Sequence, residues 1–156
     1  MIQLIVLLKR CKITDFFCYA KNIHQKNKLF CIKINNLTIE PIKLKHFTLT
    51  SYGFRIDNFA YVTDLSELSE EAFQKLVGIE YLIIEALRKR EHYSHINIAQ
   101  AIDIAQRLNV KKAWFTHISH ETTHERIIEI IDELKTKFNV KEKQIFPAWD
   151  GLELSI

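Results

Sequence analysis

The sequence lacks several things that would have placed it quickly. No run of apolar residues reaches the roughly 20 needed to span a bilayer; Ile2 to Leu8 falls far short. Lys9 and Arg10 follow that run instead of preceding it, and no small-residue cleavage site comes after, so a signal peptide is not expected. Cysteine is limited to Cys11, Cys18 and Cys31, an odd number too widely spaced for a zinc knuckle and without a disulfide framework. That usage suits a reducing cytoplasm. Charge of one sign is also missing: 22 basic and 19 acidic residues are interspersed, leaving a net charge of +3 and no basic stripe. No nucleic-acid surface is signalled, and phosphate-bearing small molecules are allowed without being implied. There is no internal repeat, linker or low-complexity tract. With 47% hydrophobic residues in 156, the chain carries the apolar material of one ordinary domain.

What is present is a change of texture along the chain. Ile2 to Leu8 reads as a strand or a short helix, and residues 1–40 form a poorly defined lead-in. Leu29 to Ile34 and Leu37 to Glu40 form a hairpin around Asn35-Asn36. Pro41 interrupts the pattern and Ile42 to Leu44 extends it, ending at Lys45-His46. A second β pair, Phe47 to Ile56 and Phe59 to Thr63, is joined at Asp57-Asn58 and stops at Asp64. Beyond Asp64, helix and strand alternate. Ser69 caps a helix with Glu70 and Glu71 in its first turn, closed by Leu76 and Gly78. Tyr81 to Ala86 is a continuous apolar strand of the kind buried on both faces. Ile98, Ala101, Ile102, Ala105 and Leu108 repeat at helical spacing with Asn109 as the stop, and Ala113 to Thr116 is the next strand. Thr122 and Glu125 form a capping box for a helix running to Phe138. Ile145-Phe146 and Leu152 to Leu154 read as short terminal strands. Residues 65–140 are therefore a layered β-α unit with helices covering one side of a sheet.

Polar residues able to hold a metal or move a proton recur at the ends of these strands: His46, Asp64, His92 with His95, and His117 with His120 and His124. Ligands in open α/β sheets are held outside the carboxyl ends of strands, which makes the loop from His117 to His124 the focal stretch. Each residue also has a plain reading. A lone His46 is most often a solvated loop residue, and Asp64 beside Leu65-Ser66 suits the start of a turn. His92 and His95 are too close for two ligands on one strand face. His124 falls in the first helical turn, facing water. Imidazoles with a carboxylate are nonetheless the donor set of zinc, manganese or iron hydrolases.

Several segments in order carry a more specific signal. Ser51-Tyr52-Gly53-Phe54-Arg55-Ile56 leads to Ala60-Tyr61-Val62-Thr63-Asp64-Leu65-Ser66. Ile83-Ile84-Glu85-Ala86-Leu87-Arg88 follows, then His92-x-x-His95, Trp114-Phe115-Thr116-His117-Ile118-Ser119-His120 and Asp150-Gly151-Leu152. This series resembles the C-terminal half of a metallo-β-lactamase-fold hydrolase, over roughly residues 41–156. The branch it is most similar to contains the cyclic phosphodiesterase of bacterial phosphonate breakdown, a relative of ribonuclease Z. The resemblance implies an α/β fold that is half of a four-layer αββα sandwich, a mixed sheet with helices on one face. It implies His46 as a ligand of a first metal ion, Asp64 as the carboxylate bridging two ions, and His117 as a ligand of the second. His95 matches a phosphate-contacting proton donor, His120 a supporting or substrate-facing residue, and Asp150 a group that steadies the His117 loop. The implied cofactors are two divalent ions, Zn or Mn, and the implied reaction is attack of metal-activated water on a phosphodiester.

One departure qualifies all of this: the family's His-x-His-x-Asp-His motif is absent, and His24 stands alone in residues 1–45. The cysteine cluster of the phosphonate branch is missing too. Each ion would keep two protein ligands, where a catalytic site has three. Weak metal binding and little hydrolysis by the chain alone are expected, and the inner face of its sheet is expected to meet water unless a partner covers it. Three possibilities stay open: a hydrolase completed by a polypeptide carrying the N-terminal half or by self-association, an inactive remnant, or a module that binds a phosphate ligand without chemistry.

Overall fold

In the computed structural model of the chain, residues 31–34, 37–140, 142 and 144–154 are described. The expectations for Ile2 to Leu8, Leu29-Phe30 and the Asn35-Asn36 turn lie outside them. Seven strands form one mixed sheet whose spatial order follows the chain: β1 (Ile32–Ile34), β2 (Leu37–His46), β3 (Leu49–Ile56), β4 (Phe59–Val62), β5 (Tyr81–Glu85), β6 (Lys112–Thr116) and β7 (Gln144–Pro147). The first four pair antiparallel. From β4 onward the pairing is parallel, and each return is made over α1 (Glu70–Leu76), α2 (Ile98–Arg107) or α3 (His124–Lys137).

Alternation along the strands sorts the sheet into two faces. Leu82 and Ile84 of β5, with Ala113 and Phe115 of β6, point to the helices and pack with Leu76, Ile102, Ala105 and Ile131 in the main core. Ile83 and Trp114 point the other way and join Ile39, Ile56 and Phe59 in a second cluster. The expected water-facing inner face is thus corrected at these positions, which are buried, with Ala148, Leu152 and Leu154 packed among them. Burial of Leu152 and Leu154 contributes about 1.5 to 3 kcal/mol each toward holding the C-terminal segment on the sheet. Phe146 and Trp149 remain exposed at that edge.

Three local expectations change. Pro41 does not interrupt β2; it pairs with Phe54 inside a continuous strand. Described β1 reaches only as far as Ile39 along β2, so the hydrogen bond Pro41 cannot donate falls on a side with no described partner strand. Leu152 to Leu154 is not a strand: it follows a turn closed by Leu152 N donating to Trp149 O at 3.1 Å, and it packs without a ladder. The cap of α3 is Thr123, not Thr122, its hydroxyl accepting from Arg126 N at 3.3 Å. A side-chain turn, Glu121 N to Ser119 Oγ, carries the loop one residue further before the helix starts.

Candidate metal centre

The carboxyl ends of β2, β4, β5 and β6 lie along one edge, and each ends on or just before a polar side chain: His46, Asp64, Glu85 and His117. His95 reaches the same place from the loop between β5 and α2. Asp64 and His117 both hold left-handed backbone, with φ of 59° and 55°. Such conformations are uncommon for residues other than glycine and cluster at functional sites. Here they turn the chain sharply as it leaves each strand. Asp64 is held from both sides of its own backbone: its N–H donates to Glu85 Oε2 at 2.9 Å, and its carbonyl accepts from Ser51 Oγ at 2.5 Å.

Ligand atoms of Asp64, Glu85, His95 and His117 all lie within 4.8 Å of one another. His46 joins through His95, the two Nε2 atoms being 3.3 Å apart. At that spacing the two rings are within hydrogen-bonding distance of one another. His117 Nε2 is 3.9 Å from Asp64 Oδ1, and its ring stacks on His95 at 4.8 Å between centroids.

Glu85 is the residue the sequence reading assigned no role. Its side chain is fully buried and both oxygens are engaged. Oε1 accepts from Leu65 N at 3.0 Å and Ile96 N at 3.2 Å, while Oε2 takes Asp64 N and faces His95 Nδ1 at 3.0 Å. Each of its oxygens is thus already engaged by two partners while lying within reach of the cluster. Glu85 fixes the loops of Asp64 and His95 and turns His95 Nε2 toward the cluster. Burial pushes its carboxyl up to about 7, against the pull of the three backbone N–H groups. Burial also holds the His95 imidazolium down, partly offset by Asp64. Burial thus disfavours the charged form of both members of the Glu85–His95 pair. A signal for Glu85 did exist: it is the one charged residue in the apolar run Tyr81 to Ala86.

The remaining sequence candidates are not drawn in. His120 is exposed in the loop after β6, Asp150 is exposed in the turn after β7, and neither belongs to the close group. His124 opens α3, facing solvent as expected. His92 lies 5.3 Å from His95 ring to ring, its imidazolium disfavoured by desolvation and by Arg88. No described helix is long and apolar enough to cross a membrane.

A mixed sheet with helices on one face and imidazole and carboxylate donors gathered at its strand ends defines the class of metallo-β-lactamase-fold hydrolases. Within it, the chain belongs to the family described as Beta-lactamase superfamily domain, whose profile matches residues 14–118. A diphosphatase of the PhnP family has a similar structure, with TM-score 0.71 and 29% identity over 83% of this chain and 47% of that one. YhfI from Bacillus subtilis, a metallo-β-lactamase fold protein, aligns with TM-score 0.62 and 20% identity over 79% of this chain and 50% of its own. Zn²⁺-bound PqqB from Methylobacterium extorquens shares the fold at TM-score 0.56 and 15% identity, over 83% of this chain and 54% of its own. In sequence, an octanoyltransferase of Porphyromonas gingivalis is 30% identical over 126 residues, 80% of this chain and 24% of that protein. The chain thus spans about half the length of these structural relatives and about a quarter of the octanoyltransferase.

Proposed function

We infer that the chain is the C-terminal half of a metal-dependent hydrolase acting on phosphodiester-type bonds, with little activity alone. The observation that carries this reading is the convergence of His46, Asp64, His95 and His117 around a fully buried Glu85 at one sheet edge. The donor set suits divalent cations: His46 and Asp64 would hold one and Asp64 and His117 a second, with His95 facing the same space. A divalent ion there supplies Lewis-acid activation of water and neutralises phosphate charge. The protein's own part is positional. Glu85 faces His95 Nδ1 at 3.0 Å, which leaves Nε2 toward the donor cluster, where it would meet a phosphate oxygen. The similarity to a PhnP-family diphosphatase supports phosphorus chemistry in particular.

The sequence contains no His-x-His-x-Asp-His, the motif that would supply further ligands, and activity of the chain is expected to be low on that ground. Hydrolysis of bis(p-nitrophenyl) phosphate with added Mn²⁺ or Zn²⁺, alongside metal content by mass spectrometry, tests this. Slow turnover abolished by Asp64→Asn and substoichiometric metal are expected. Turnover indifferent to Asp64→Asn overturns the site, and rapid turnover with tightly held stoichiometric metal overturns the half-complete ligand set. Phosphate binding without turnover, lost in His95→Ala, selects a binding module instead.

A further inference from the structure

Two hairpins of the sheet turn on two residues each, Phe47-Thr48 between β2 and β3 and Asp57-Asn58 between β3 and β4. The first residue of each turn is left-handed, with φ of 55° at Phe47 and 52° at Asp57. Aspartate takes that conformation readily, whereas a bulky aromatic there is a strained exception. The strain at Phe47 is not offset by burial, because its side chain is 53% exposed. Its backbone is instead pinned: Phe47 N donates to Ser66 Oγ at 3.1 Å, and Ser66 donates to Lys45 O through both N–H and hydroxyl. A conformation disfavoured for the residue, held in place by neighbours, displays an aromatic ring to solvent immediately after His46.

That ring is one end of a continuous aromatic surface leading into the centre. Phe47 meets Tyr93 edge to face at 5.3 Å, and Tyr93 is 71% exposed. Tyr93 lies 4.5 Å from His92 at 31°, His92 lies 5.3 Å from His95 at 33°, and His95 stacks on His117 at 4.8 Å and 27°. Aromatic faces of this kind bind planar heterocycles, and stacking tolerates any base because each has a π face. The geometry points to Phe47 and Tyr93 as a stacking platform for the heteroaromatic group of a nucleotide-type phosphate compound, a specificity element that rests on the phosphate reading of the adjacent centre.

Calorimetric titration of the full chain in Mn²⁺ with adenosine 5′-monophosphate and with ribose 5-phosphate tests the platform, since the two differ by the base alone. The nucleotide is expected to bind at least about fivefold more tightly, the lower end of what base stacking contributes. That ratio is expected to fall toward one in Phe47→Gly and in Tyr93→Ala. Phe47→Gly relieves the left-handed backbone and is expected to melt no lower than the wild type, as a ring kept for recognition requires. A ratio near one in the wild type, a ratio unchanged in both variants, or a marked fall in the melting temperature of Phe47→Gly overturns the platform and leaves the phosphate reading standing. Failure of the wild type to bind either compound overturns both.

Discussion

Glu85 is where a single residue decides most about the centre. It is the buried group on which Asp64, Leu65, His95 and Ile96 all converge, and burial favours its protonated form. Its folded pKa of about 7 stands above the ordinary 4.5, so between those values the folded protein holds a proton that the unfolded chain has lost. The associated stability is fully present below about pH 4.5 and is lost as pH rises through 7, on the order of 3 kcal/mol. The lowered pKa values of His92 and His95 work in the opposite sense below their ordinary 6.5, so the comparison with a variant isolates the carboxyl. In metal-free protein, urea unfolding from pH 4.5 to 8 is expected to show the stability of wild type falling relative to Glu85→Gln. A constant difference across that range contradicts the assignment. This residue was legible only as an oddity in an apolar strand, because its partners are 10 to 21 positions away in sequence. His46, Asp64 and His117 were easier, since each follows an apolar run, whereas His95 was singled out by the family resemblance.

Elements place these residues, and most elements were legible from period and caps. Ser69 caps α1 as its hydroxyl position suggested, accepting from Ala72 N. The capping of α2 is a reciprocal pair between Asn97 and Gln100, which fixes the end of the loop that carries His95. What misled were signals whose meaning depends on neighbours. Pro41 reads as a break, yet it sits in a strand beyond the reach of described β1. The alternation of Leu152 to Leu154 reads as a strand, yet no described strand pairs with it. Gly53 shows the tightest element contact. A Cβ there would stand 2.9 Å from Tyr61 O and 3.2 Å from Leu44 Cδ1, on the helix-facing side where β3 and β4 pair. Gly53→Ala is expected to lower stability by about 1 to 3 kcal/mol, seen as an earlier urea midpoint, because a backbone carbonyl cannot move aside cheaply. A stability equal to wild type would show that the two strands yield there.

At the scale of the whole molecule, the sheet carries a core on each face. The helix-facing core is built from α1, α2 and α3, and the opposite one from Ile83, Trp114 and their neighbours with the C-terminal segment. The centre sits at the edge shared by both, so its residues are positioned by folding of the whole sheet and not by one loop. Fold class and family were legible because several motifs occur in the right order. The site residues were legible one by one, at strand ends, and the buried Glu85 that ties two of their loops together was not. Isothermal titration of Mn²⁺ and Zn²⁺ into the full chain addresses the centre directly. Binding weakened at least about tenfold in Asp64→Asn and His117→Ala, and unchanged in His120→Ala, is the expected result, tenfold being the scale of losing one ligand or its support. Affinity unchanged in Asp64→Asn, or lost equally in His120→Ala, would contradict a metal centre at these strand ends.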